Sequence, residues 1–332
     1  MRFLFVFLGA AIVGCAGGDP MREHLGAARQ AVLEGGVDDT THAVLVVEDP
    51  LMLCSGVLVA PDVLLTASHC VASAEPDGTT CADTHYPTGL NAAKTMQVYV
   101  GDSIDDPTVM RVTVAEVIPL AGEKTMCGND IAALRLAKPI ASITPLVPRL
   151  DAPPVVGEAV SVVGFGVDDP SDLNSSGTRR RRDDAKVSFV GARAKTGPAA
   201  ELSAGDFAVS IGPCGGDSGS PALDAQGRVM GIMSRGDKSS CADMAYTRID
   251  GHADWLRQLV RDAASKSGAE PPSWAALAPA ADDAGPPDDA PAPPETTQTS
   301  SSSCAIGGPG DERSVLAPLA IALLFCARRR KR

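Results

Sequence analysis

The segment Cys214-Gly-Gly-Asp-Ser-Gly-Ser-Pro221 constrains this chain most tightly, because two earlier segments complete it. A serine between glycines is a common turn composition by itself. Thr66-Ala-Ser-His-Cys70 adds a histidine, and Gly128-Asn-Asp-Ile-Ala132 adds an aspartate. A free serine hydroxyl is a poor nucleophile. It needs a base to take its proton and a third group to orient that base. His69, Asp130 and Ser218 supply those roles in that chain order. The order differs between the unrelated folds that carry such a constellation, so it points to one of them. Singly, His69 reads as a packed or solvated histidine and Asp130 as a turn or cap residue. Their joint occurrence carries the argument. His24, His42, His85 and His252 have no such company and read as surface residues.

The chain of 332 residues is long enough for one large or two small globular units, and 44% hydrophobic residues provide a core. After His42 the pattern becomes short β-rich runs separated by turn residues. They fall at 43–47, 56–59, 96–100, 111–114 and 131–136, and then at 159–163, 186–190, 207–211, 229–233 and 245–249. Many short strands with regular turns predict an all-β fold of barrels or a sandwich. The two sets divide near 145–154. One helix is expected over 251–266, where Trp255, Leu256, Leu259 and Val260 share a face.

The three motifs together resemble the trypsin/chymotrypsin-like serine proteases, over roughly 33–266. The resemblance implies two antiparallel six-stranded β-barrels packed together, with a C-terminal α-helix. It implies hydrolysis of polypeptide substrates through an acyl-enzyme, with no cofactor and no metal. His69, Asp130 and Ser218 would be catalytic. The backbone N–H groups of Gly216 and Ser218 would form the oxyanion hole. Ser234 matches the position whose side chain supports the aspartate, although a strand serine on a polar face explains it too. The substrate pocket would involve Gly212, Pro213, Ser234, Arg235, Gly236 and Met244. It departs from trypsin: Gly212 supplies no carboxylate for Arg or Lys, Pro213 replaces a small polar residue, and Met244 falls where glycine is frequent. Arg235 stands where an aromatic wall is usual, or attracts an acidic substrate group. An apolar or shallow pocket follows. The family also frees an apolar N-terminus that pairs with the aspartate before the nucleophile, here Asp217. The matching stretch 32–36 lacks a basic residue immediately before it, Arg29 being the nearest. Arg179-Arg-Arg-Arg182, expected in a loop over 168–184, reads as a solvated charge run or a processing site. A catalytically silent binding or adhesion module on the same fold is the rival reading.

Nine cysteines sort by position. Six lie in the body, an even number that reads as disulfides in an exported chain, or as a zinc site if ligand spacing allowed it. Six cysteines permit many pairings, and spacing does not choose among them. The resemblance pairs Cys54 with Cys70 and Cys214 with Cys241, which leaves Cys81 with Cys127. Residues 1–15 read as a secretory signal, with Cys15 either an acylated lipoprotein cysteine or incidental to ordinary cleavage. Residues 16–32 form a leader. Residues 267–303, rich in Pro, Ala, Asp and Ser, read as a disordered linker. Residues 304–332 hold Cys304, an apolar run and a basic end. They resemble a myxobacterial surface-sorting signal, or serve as a plain membrane anchor. The chain is therefore expected to be exported to the cell surface or outer membrane, or released. The net charge of -12 argues against nucleic acid as a partner.

Overall fold

The computed structural model describes residues 32–276, apart from 34, 50–51, 73–80, 85–89, 121–124 and 198. The expected signal (1–15, with Cys15), nearly all of the leader, most of the linker and the terminal segment with Cys304 lie outside the described residues. Strands β2 (Val44–Asp49), β3 (Met52–Ala60), β4 (Val63–Thr66), β5 (Gln97–Val100), β6 (Met110–Pro119) and β7 (Ala132–Leu136) follow β1 (Gly36–Val37). Strands β8 (Ala159–Gly164), β9 (Arg180–Val190), β10 (Asp206–Ile211), β11 (Pro221–Leu223), β12 (Val229–Asp237) and β13 (Ala242–Arg248) come next. Helix α1 (Ala253–Ser267) follows them.

The local sequence explains these strands. Val44, Leu45, Val46 and Val47 are all buried, as is β3 from Cys54 to Ala60, so β-branched and aliphatic runs pack on both faces. In β6 the pattern alternates, with Val112 and Val114 inward and Arg111 and Thr113 outward. The order β2-β3-β4-β7-β6-β5 closes into one barrel. In the second, β8 pairs with both β11 and β9, which closes the ring β8-β9-β10-β13-β12-β11. Every pairing between these strands is antiparallel. Helix α1 lays Leu256, Leu259, Val260 and Ala263 against the first core, and Trp255 is half-buried beside them. The chain stays packed past Lys266: Trp274 lies on the same core and Ala275 is fully buried.

The ten expected strand runs lie within, or within a residue or two of, strands of the two barrels. The expected helix shifts by one or two residues, after a short turn at Asp250–His252. Strands β1, β4 and β11 were not expected. Each is two to four residues long, too short to show alternation.

The arginine run is a correction. Arg180–Arg182 open β9 rather than sit in a loop, and Arg179 is among the most deeply buried side chains. Its guanidinium donates to Asp102, to the carbonyls of Val44 and Gly101, and lies 3.5 Å from Asp38. Arg180 pairs with Asp168 at 3.0 Å. Arg181 donates to Thr41 and Ser161, and Arg182 to the carbonyl of Leu33. Strand β1 pairs with Arg180 and Arg181 through its backbone. The run is therefore a clamp that holds the N-terminal segment on the second barrel. Burial pushes the Asp38 carboxyl up, but hydrogen bonds from Thr40 and Thr41, with the charge of Arg179, hold it below its ordinary value.

Arg179→Met would leave Asp38 charged and buried without its cation. We expect a loss of about 3–5 kcal/mol in urea unfolding. Arg181→Met, whose carboxylate partner Asp183 is largely exposed, should cost under about 1 kcal/mol. Equal losses would contradict the weight given to the buried Arg179–Asp38 pair.

Candidate active site

His69 sits in a single turn, Ser68–Cys70, directly after β4. A disulfide ties Cys70 to Cys54 on β3. Ser68 donates to the carbonyl of Ile131 at 2.8 Å, which locks that turn to the chain leaving Asp130. Asp130 has no exposed side-chain surface. Its Oδ1 accepts the backbone N–H of His69 at 3.1 Å, and its Oδ2 lies 2.8 Å from His69 Nδ1. Ser234 on β12 donates its hydroxyl to the same Oδ2 at 2.6 Å. Sequence alone left the role of Ser234 open, and the contact decides that it faces Asp130. An ionised carboxylate only accepts, so Nδ1 carries the proton and Nε2 is left with its lone pair.

Ser218 follows a tight turn whose backbone only glycine can make. Gly219 has φ +85, and a Cβ there would stand 2.2 Å from the carbonyl oxygen of Ser55. Gly216 has φ +95 and presses against Gly166. Ser55 holds the loop from the other barrel: its N–H donates to the carbonyl of Ser218 at 2.8 Å, and its hydroxyl to that of Gly216 at 3.2 Å. Among the described residues, the N–H groups of Gly216 and Ser218 donate to no protein acceptor. Asp217 is fully buried. Its two oxygens accept the N–H groups of Gly166 and Cys214, each at 2.8 Å, and among the described residues no cation faces it. Burial drives its carboxyl up, these two hydrogen bonds oppose the rise, and the result is about 7.

His69 and Ser218 line one cavity of about 450 Å³. Four methionines, Met52, Met126, Met233 and Met244, supply much of its wall, with Ser234, Arg235, Gly236 and Lys238 beside them. The thioether of Met244 occupies the space a side chain at Gly236 would need. Gly212 and Pro213 are buried and are not in this wall; Gly212 packs towards Val162 and Val32. Arg235 pairs with buried Asp206 at 2.9 Å, so its charge is already matched within the protein. Sequence reasoning missed Met52, Met126, Met233, Lys238, Ser55 and Asp206, because nothing in their local pattern marks them.

The six body cysteines form Cys54–Cys70, Cys81–Cys127 and Cys214–Cys241. Each bridge ends near a segment of the candidate site: the His69 turn, the approach to Asp130, and the cavity.

The model of the family described as Trypsin matches residues 38–256. Brachyurin from Leptuca pugilator is 27% identical over 223 residues, covering 63% of this chain and 88% of that protein. Snake venom serine protease rhinocerase 4 from Bitis rhinoceros is 26% identical over 241 residues, covering 68% and 85%. The solved structure of neuropsin, a serine protease expressed in the limbic system of mouse brain, superposes with a TM-score of 0.52 at 20% identity. It covers 68% of this chain and 99% of its own. At that identity the likeness is one of fold.

Asp217 makes stability depend on pH. Below the carboxyl value of the unfolded chain, about 3.9, both states carry the proton and nothing is lost. As pH rises to about 7, only the unfolded state ionises, so stability falls; above that the loss is complete. A rise from 3.8 to about 7 corresponds to about 4 kcal/mol. Urea unfolding across pH 4–8 should show this decline in the parent and not in Asp217→Asn. Parallel curves would contradict the assignment.

Proposed function

Because the chain belongs to the trypsin family of serine proteases, we propose that it is an endopeptidase acting through His69, Asp130 and Ser218. The observation that carries this reading is the hydrogen-bonded chain Ser234–Asp130–His69, which opens beside Ser218 into a single cavity. In the proposed reaction Ser218 Oγ attacks the scissile carbonyl as His69 Nε2 takes its proton. Asp130 holds the imidazole tautomer and stabilises the imidazolium that forms. His69 then returns the proton to the leaving amine, and water hydrolyses the acyl-enzyme by the same route. The N–H groups of Gly216 and Ser218 would meet the developing oxyanion, each worth about 3 kcal/mol in the transition state.

The cavity favours an apolar residue before the cleaved bond. A charged side chain there needs a partner or suffers a large desolvation cost. Arg235 is committed to Asp206, so it does not serve acidic substrates. Met233 and Met244 give a polarizable wall that adapts to unbranched or small aliphatic groups. Met244 restricts depth, which disfavours large aromatic side chains.

Activation follows from Asp217. Val32 is buried against the second core, and the N–H of Leu33 donates to the carbonyl of Gly212 at 2.7 Å. Cleavage before Val32 would create an ammonium, the cation that Asp217 needs. Export is proposed on the signal at 1–15 and fits three disulfides. Attachment through Cys15 or through 304–332 remains part of the proposal. Among the described residues no helix is long and apolar enough to cross a membrane.

Ser218→Ala or His69→Ala should lower kcat at least about a thousandfold, read on peptide substrates. A fluorophosphonate should label Ser218 alone in peptide mass maps. Full activity in Ser218→Ala would end this reading. Met244→Ala should deepen the pocket and move the preferred residue from Val or Leu towards Phe, measured with a peptide library. An unchanged profile would remove Met244 from the pocket.

A further inference from the structure

The pocket wall carries an arginine that this reaction scheme leaves unused. Arg235 Nη2 donates to Asp206 Oδ2 at 2.9 Å and to the carbonyl of Glu201 at 2.6 Å. Its Nη1 lies 3.2 Å from the hydroxyl of Ser234. Asp206 is fully buried and accepts more than this one cation. It takes the N–H of Gly128 at 3.1 and 3.2 Å, and both the N–H and hydroxyl of Ser203 at 2.9 Å. Gly128 stands two residues before Asp130. One buried carboxylate therefore holds both the backbone that enters Asp130 and the guanidinium that touches Ser234.

The direction of each hydrogen bond follows from chemistry. A guanidinium has donors and no acceptor, whereas a hydroxyl has one proton and two lone pairs. Arg235 must donate to Ser234, which occupies a lone pair and turns the single hydroxyl proton elsewhere. The acceptor in reach is Asp130 Oδ2, at 2.6 Å. That oxygen also faces His69 Nδ1. The sequence Asp206–Arg235–Ser234–Asp130–His69 is thus ordered at every step.

We infer that Arg235, anchored by Asp206, is a positioning residue that fixes the Ser234 proton on Asp130 and so holds His69 in its working tautomer. This rests on the endopeptidase reading above. Arg235 acts through Ser234 and Asp130, not on substrate. Its planar fork spans Asp206 and Ser234 together, which a lysine ammonium cannot do in the same geometry.

The test uses the processed protein and an ester or peptide substrate with an apolar residue before the cleaved bond. It reads kcat, KM and the rate of fluorophosphonate labelling. Arg235→Met should lower kcat and the labelling rate together, by about 10- to 100-fold, because a misplaced base costs rate without costing binding. KM should stay within about threefold. Arg235→Lys keeps a cation on Asp206 and should recover part of the loss. Arg235→Met with Asp206→Asn removes the unpaired buried carboxylate, which protects folding, and should keep the loss in kcat. Unfolding midpoints and disulfide maps establish that each variant is folded. Wild-type kcat and labelling in any folded variant, Arg235→Lys included, would overturn the inference. So would a loss confined to KM, which would make Arg235 a pocket wall and no more. If the parent protein takes neither substrate nor label, the endopeptidase reading falls, and the inference with it.

Discussion

Asp130 is a carboxylate with no exposed surface, and a buried charge persists only where donors replace the water it has lost. Its donors come from separate parts of the chain. His69 approaches from the turn after β4 in the first barrel, through both its backbone and its ring. Ser234 approaches from β12 in the second. Satisfying this one acid therefore requires both barrels to present these residues at once. The geometry proposed for catalysis and the solvation of Asp130 are the same constraint, which ties the site to the fold. Ser55 works the same seam: from β3 it holds the carbonyls of Ser218 and Gly216.

Three other buried acids follow a shared rule, from which Asp217 departs. Asp38 is met by Arg179, Asp168 by Arg180 and Asp206 by Arg235. All three arginines lie on or beside β9 and β12, so the second barrel supplies the cations. The planar guanidinium suits this, since it engages several acceptors from one position. Asp217 has only two backbone N–H donors, and burial lifts its carboxyl to about 7. An acid left half-satisfied beside Ser218 fits the proposed activation, in which cleavage before Val32 supplies an ammonium.

The groups proposed to react were legible in the sequence because their surroundings are local. Gly216 and Gly219 flank Ser218 within the same turn, and Cys70 adjoins His69, so short motifs reveal them. The β-rich runs were legible because aliphatic and β-branched residues cluster in them. The arginine run was misread because its partners Asp38 and Asp102 are remote in sequence, and a charge run without them looks solvated. Its strand character comes from those partners and from pairing with β1, β8 and β10. The cavity wall was legible in part: family position gave Ser234, Arg235, Gly236 and Met244, which line it, and Gly212 and Pro213, which do not, while Met52, Met126 and Met233 have flexible side chains that leave no periodic mark. Asp206 opens a strand and gives no local sign that it anchors Arg235.

The account stands or falls on a covalent intermediate. Acid-quenching the processed protein within its first turnovers on an activated apolar ester, followed by intact and peptide mass measurement, reads it directly. The account predicts one acyl group per molecule, carried on Ser218 and absent from the Ser218→Ala protein. Turnover with no acyl group on Ser218, or an acyl group that persists when Ser218 is replaced, would contradict it.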